Sequence, residues 1–215
     1  MRRVLIVLLA LVCSVAAVGS AAAQVSVGIG FPSVNIGINL PVFPQLVPVP
    51  GYPVYYAPDV AANYFFYDGM YWVYQADTWY ASSWYNGPWG LVNPVAVPVY
   101  LLRTPVRFYR QPPTSWHSWR RDAPPRWGER WGHEWAQRRS GWDREDHRRV
   151  SVAAPLPRYQ AEYSRGRYPG PEQQPALQRR EYRYQPREPV VRQHYQRQQA
   201  HDRGQGHDRG RGHNR

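Results

Sequence analysis

Phe66-Tyr67-Asp68-Gly69-Met70-Tyr71-Trp72 and, eighteen positions on, Trp84-Tyr85-Asn86-Gly87-Pro88-Trp89-Gly90 decide the fold. Each copy places two aromatics before an Asp-Gly or Asn-Gly pair and at least one after it. Such pairs favour the tight turn whose two central residues both have φ > 0, so with flanking Tyr and Trp they predict hairpins. Residues 63–103 are therefore expected to form an antiparallel β-meander. Its strands fall at Tyr64–Tyr67, Met70–Gln75, Thr78–Tyr85, Trp89–Val92 and Val97–Leu102. Asp68-Gly69 and Ala76-Asp77 are the first two reversals. At Asn86-Gly87 a longer or bulged turn is expected, because Pro88 cannot donate the closing hydrogen bond. Along Met70–Gln75, side-chain alternation puts Met70, Trp72 and Tyr74 on one face and Tyr71, Val73 and Gln75 on the other. Both faces carry rings, so one can fill a core while the other must be covered or left to bind something.

The flanks are read from the same alternation and its interruptions. Val25, Val27 and Ile29 form one row, and Val34, Ile36, Ile38 and Leu40 a second, with Phe31-Pro32-Ser33 as the turn between them. Pro41, Pro44, Pro48, Pro50, Pro53 and Pro58 then predict an extended connector or sheet edge, since proline removes ladder donors. Residues 104–123 read as an extended linker. From 124 to 140 a helix is expected: Asp122 as cap, Pro124 and Pro125 in the first turn, Gly141 as the stop. Trp127, Trp131 and Trp135 recur every four residues and so share a face. From about Val150 to Arg215 the chain is rich in Gln, Arg, Pro and Tyr and poor in aliphatics, which predicts a disordered tail ending in a His-Asp-Arg-Gly repeat. The expected fold class is thus mainly β with one helix: a small antiparallel meander, a short Trp-rich helix and a long disordered C-terminal tail.

Arg2-Arg3, the apolar run Val4–Val18 and the small-residue site ending at Ala21-x-Ala23 have the pattern of a secretory signal peptide over 1–23. Cys13 lies inside the apolar run, so the chain from Gln24 has no cysteine and no disulfide. Export by the general secretion route to the periplasm, the outer membrane or the exterior is the expectation. Charge divides the remainder. Between Gln24 and Leu102 the only charged residues are Asp59, Asp68 and Asp77; from Arg103 onward there are 25 Arg against 12 acids, and lysine is absent. A surface of that sign attracts polyanions in a salt-dependent way.

The chemistry-bearing motifs give no catalytic residue, no cofactor site and no metal site. His133-Glu134 begins a zinc-protease pattern, but Gln137 stands where its second His is required. His194, His201, His207 and His213 have nothing to fix them as ligands. There is no Gly-x-Ser-x-Gly elbow, phosphate loop or dinucleotide fingerprint. Tyr71, Trp72, Trp84 and Trp89 are the ligand-binding candidates, since exposed rings on a sheet can stack on sugars; the competing assignment for the same rings is the core of a domain poor in Leu and Ile. Trp127, Trp131 and Trp135 are either a partner or membrane-interface stripe or a packing stripe.

Asn63–Trp72, Trp84–Trp89 and Pro124-Pro125-Arg126-Trp127-Gly128 together resemble a group of exported, Tyr/Trp-rich proteobacterial envelope proteins, some loosely linked to Trp-x-x-Gly-x-Trp repeats. The resemblance covers roughly residues 25–145. It implies a Gram-negative exported origin and carries no activity and no site residues. The expected function is a non-enzymatic envelope protein whose basic C-terminal tail contacts anionic envelope polymers, with no specific nucleic-acid target. A glycan-binding module using exposed Tyr and Trp is the second option, and a hydrolase acting on envelope material the third.

Overall fold

The computed structural model describes residues 33–144, 152–162, 177 and 184–211. The expected signal segment and the row Val25, Val27 and Ile29 lie outside them. The fold is mainly β, built on one antiparallel sheet, as the alternation predicts. Seven strands form one antiparallel sheet: β1 (Ser33–Val34), β2 (Val47–Pro48), β3 (Val54–Tyr56), β4 (Asn63–Tyr67), β5 (Met70–Gln75), β6 (Thr78–Ser82) and β7 (Trp89–Val92). Strands β2 to β7 follow one another as a meander, and β1 adds to the far edge beside β7. The proline-rich segment supplies the other edge, where Pro48 of β2 faces Tyr55 of β3. An edge tolerates the missing donor.

The turns carry the register. Asp68 and Gly69 have φ of 46° and 84°, as the Asp-Gly pair predicts, and Phe65 comes opposite Trp72. Ala76 and Asp77 make the next reversal with φ of 47° and 59°, placing Trp79 opposite Tyr74. Neither residue is glycine, so this turn stores strain of about 1 kcal/mol per residue. At the third turn the chain leaves the sheet after Ser82 and re-enters at Trp89, a longer turn as expected. Gly87 is required there: its φ is +89°, and an added Cβ would lie 2.8 Å from Cδ1 of Trp89. Asn86 holds a neighbouring segment, accepting from the Leu40 amide at 2.8 Å and donating to the Leu40 carbonyl at 2.8 Å.

Both faces of the sheet are covered. Phe65, Met70, Trp72, Tyr74 and Trp79 face one layer that contains Leu101, Leu102, Tyr109, Trp116, Trp127 and Trp135. Tyr64, Phe66, Tyr71 and Val73 face another, built from Phe43, Leu46, Trp84, Tyr85, Trp89 and Tyr159. The expected strand Val97–Leu102 is instead a 3-10 turn at Pro94–Ala96 followed by helix α1 (Val99–Arg103). Asn93 accepts from the Val95 amide, and Pro94 and Pro98 sit at helix starts, where their missing N–H groups cost nothing. The 104–123 segment is not simply extended either, since Val106–Phe108 and Thr114–Trp116 are 3-10 turns.

Helix α2 (Trp127–Arg138) is the expected Trp helix, begun three residues late. Asp122 does not cap it; its carboxylate pairs with Arg120 at 3.0 Å. Gly132, at φ 83° and ψ 178°, breaks the helix internally, as a glycine inside a short helix permits. Two further helices, α3 (Arg158–Glu162) and α4 (Pro189–Arg211), lie in the region expected to be disordered. That expectation is corrected over 152–160 and 184–200, where Ala154, Tyr159, Val191, His194 and Gln198 are buried. The intervening tail and the side chains of the terminal repeat lie outside the described residues.

Candidate functional site

The ring candidates are core residues. Tyr71 and Trp72 are fully buried, and Trp84 and Trp89 are 6% and 2% exposed. The Tyr71 hydroxyl sits 2.8 Å from that of Tyr159 and accepts from Nε2 of Gln160 at 3.0 Å; burial raises its pKa well above the usual phenol value. Trp72 donates Nε1–H to the Tyr67 carbonyl at 3.2 Å. Trp84 packs edge-on against Phe43 at 5.7 Å, and Trp89 edge-on against Tyr64 at 6.0 Å. No ligand can stack on these four rings while the sheet faces stay covered, which corrects their assignment as binding residues. The Trp stripe is a packing stripe. Trp127 stacks on Trp131 at 4.4 Å and 12°, and Trp131 meets Trp135 at 4.9 Å. Indole N–H groups of Trp127 and Trp135 donate to the carbonyls of Leu102 and Pro94. Only Trp131 of the three is half-exposed. The Trp helix covers the Met70, Trp72 and Tyr74 face of β5.

Two acids of the neutral half do the holding. Asp77 accepts from the Tyr74 hydroxyl at 3.0 Å and pairs with Arg130 of the Trp helix. Burial pushes the Tyr74 phenol up to about 12, against the opposing pull of Arg130. Asp68, itself buried, grips the C-terminal segment. Its Oδ1 accepts from the Tyr184 hydroxyl at 2.7 Å and the Arg187 amide at 3.0 Å, and its Oδ2 from the Glu188 amide at 2.8 Å. A turn residue of the sheet thus caps the start of α4, 120 positions away in sequence. At the other end of the described side chains, Gln198 accepts from the Ser83 amide at 2.7 Å and donates to the Pro88 carbonyl at 2.7 Å. Sequence reasoning uses Asp68 only as a turn former. The signal it leaves aside is an acid in a stretch with only three charges.

Asp68→Asn isolates that grip, because asparagine also tolerates φ > 0 and keeps the turn. It replaces one acceptor oxygen by a donor facing backbone N–H groups. Docking of 184–200 is expected to weaken by about 2 kcal/mol. Amide exchange over 187–198 checks this: protection should fall there and persist in β4 and β5. Unchanged protection of the segment would remove Asp68 from this role.

One stretch of the described surface is strongly cationic. Residues 103–144 contain ten Arg and four acids. Arg107, Arg110 and Arg121 are exposed, and among the described residues no carboxylate lies within ion-pair distance of them. The amides of Val106 and Arg107 donate to the carbonyls of Ala123 and Arg121 at 3.0 and 2.9 Å, which brings Arg107 beside Arg121 and Asp122. Arg120 and, less strongly, Arg107 hold the Asp122 carboxyl below its usual range. A shallow cleft of about 400 Å³ lies beside the Ala76-Asp77 turn, lined in part by Asn63, Gln75, Gln111 and Thr114. Asn63 is committed to the Tyr74 carbonyl and to both backbone groups of Gln111, so it is not free to meet a ligand. Among the described residues no three His, Cys, Asp or Glu side chains are placed to hold a metal ion, and no helix is long and apolar enough to cross a membrane. Comparisons with protein-family models, curated proteins and solved structures found no match to this chain.

Proposed function

We propose that the chain is a non-enzymatic, exported envelope protein that contacts anionic polymers through the Arg-bearing surface of 103–144, supplemented by the Arg-rich tail. The observation that carries this reading is the division of labour within the fold. The neutral half forms the sheet and its buried rings, while exposed guanidinium groups without described acidic partners stand on the segments that cover it. Exposed Arg forks suit carboxylate and phosphate groups. Export rests on the signal-peptide pattern of 1–23, and the envelope setting on the resemblance given above.

The test is retention of the full exported chain on acidic polysaccharide beads. A largely electrostatic contact should lose affinity at least about tenfold between roughly 0.05 and 0.5 M salt, over which the screening length shortens to a few ångström. Binding that is absent at low salt, or indifferent to salt, would overturn the reading.

A further inference from the structure

One aromatic ring is brought to the surface from the core by a column of stacked neighbours. Tyr74 of β5 is buried and stacks on Trp116 at 5.5 Å and 18°. Trp116, also buried, stacks on Trp119 at 4.9 Å and 20°. Trp119 is half-buried, and among the described residues it has no other ring partner and no side-chain hydrogen bond. The turn is pinned by the Trp119 amide donating to the Trp116 carbonyl at 2.9 Å. A ring held this way loses little conformational freedom when a flat ligand settles on it.

Three arginines come together near Trp119. Arg120 and Arg121 follow it in sequence, and the Arg107–Arg121 backbone bond adds Arg107. Of these three cations only Arg120 has a carboxylate within ion-pair distance among the described residues, that of Asp122. The Arg107 guanidinium rests over the Phe108 ring, with Cζ 4.9 Å from its centroid, which limits its motion. Ser115, His117 and Ser118 are exposed around them, so the surroundings of the ring are polar.

We propose that Trp119, Arg107, Arg120 and Arg121 form a binding site for an acidic sugar of the uronate type within a polysaccharide. The apolar C–H face of the pyranose lies on the indole, and the sugar carboxylate takes the guanidinium groups left in excess over Asp122. A membrane is disfavoured as the occupant, because a single ring among exposed cations offers little apolar area to bury. Single-stranded nucleic acid is disfavoured because its binders line up several stacking rings along a basic groove, and this site has one. The site rests on the function proposed above and gives it a location.

Fluorescence titration of the full chain with oligogalacturonate tests it, alongside a neutral malto-oligosaccharide and a single-stranded DNA oligomer. Oligogalacturonate should bind, and the neutral sugar should bind at least about tenfold more weakly, since it forgoes the charge-assisted bonds. Trp119→Ala should weaken oligogalacturonate binding about tenfold, in keeping with loss of one stacking platform. Trp119→Phe, which keeps a ring and guards against a folding defect, should stay within about threefold of the parent. Arg107→Gln combined with Arg121→Gln should also cost about tenfold, while Arg138→Gln, whose own partner is Glu134, should cost less than about twofold. If the chain binds acidic polymers and the Trp119 and Arg107/Arg121 variants match the parent, the site is wrong and the general reading survives. If no variant and no parent binds, both fall. DNA bound more tightly than oligogalacturonate, with the same dependence on Trp119, overturns the sugar assignment.

Discussion

Trp72→Ala is expected to destabilise the fold by about 3–5 kcal/mol, the range for truncating a buried large aromatic. Trp72 is fully buried at the centre of the sheet, with Phe65 and Ala81 as its cross-strand neighbours. It belongs to the same core layer as Leu101, Leu102, Trp127 and Val191, which come from three separate segments. Its ring also meets His194 of α4 edge-on at 5.7 Å. A cavity at this position therefore touches the sheet, the layer above it and the C-terminal helix together, and partial relaxation cannot refill it from one side. The indole N–H is satisfied by the Tyr67 carbonyl, so truncation leaves that oxygen short of a donor as well. Chemical denaturation of the full chain measures the effect as a drop in midpoint with the slope unchanged. Trp131→Ala, made at a half-exposed ring, should cost less than half as much. A loss under about 1 kcal/mol for Trp72→Ala would mean that the site repacks and the sheet does not depend on it.

The same residue illustrates what the sequence makes legible. Alternation assigns Met70–Gln75 and Trp89–Val92 with their observed bounds, and it sorts Trp72 from Tyr71 onto opposite faces. Alternation is a local property of a strand, so one chain suffices to read it. What it leaves undecided is coverage. Whether a face rich in rings meets solvent or another layer depends on segments far away, here 94–142 on one side and Phe43, Trp84 and Tyr159 on the other. Val97–Leu102 shows a second limit, since an apolar run of six residues suits a buried strand or a short helix equally, and the decision rests with Asn93, Pro94 and Pro98 at its start. The tail shows a third. Val191, His194 and Gln198 do recur at helical spacing, but two of the three are polar, so the buried stripe of α4 carries no hydrophobic signature. Its burial is made favourable by Gln198 meeting Ser83 and Pro88 and by Asp68 receiving the helix start. The candidate site was less legible still: the Arg excess is plain in composition, but the pairing of 106–107 with 121–123 that gathers Arg107, Arg120 and Arg121 has no sequence pattern.

Acid should loosen the docked C-terminal helix, and His194 sets the direction. Burial against the sheet, aided by the Arg197 charge, pushes its imidazole down to about 4 from the ordinary 6.5, while a backbone hydrogen bond with Ala96 works the other way. When α4 is undocked, that imidazole takes a proton near pH 6.5; when docked, it resists until about 4. Between these values the undocked state binds more protons, so docking is fully stable above about pH 6.5, weakens as pH falls, and stops weakening below about 4. The size is about 3.5 kcal/mol at most, from the span between 6.5 and about 4. Glu188 opposes it. Burial raises its carboxyl pKa despite the hydrogen bond donated by Tyr67 at 2.8 Å, with Asp68 adding to the rise and Arg139 countering it. A carboxyl raised by docking stabilises the docked state at low pH and loses that contribution as pH rises, so it offsets part of the His194 effect at the acid end. The phenol of Tyr184, pushed up to about 12 by burial and by its bond to Asp68, stays outside this window. Amide exchange over 189–198, corrected for the intrinsic rate, should therefore show less protection at pH 4.5 than at pH 7. Protection in β4 and β5 should change little. His194→Phe keeps a ring against Trp72 and removes the titrating group, so its protection over 189–198 should not fall on acidification and should rise slightly as Glu188 takes its proton. Equal protection of the parent at both pH values, or an undiminished acid response in His194→Phe, would show that His194 does not couple docking to pH.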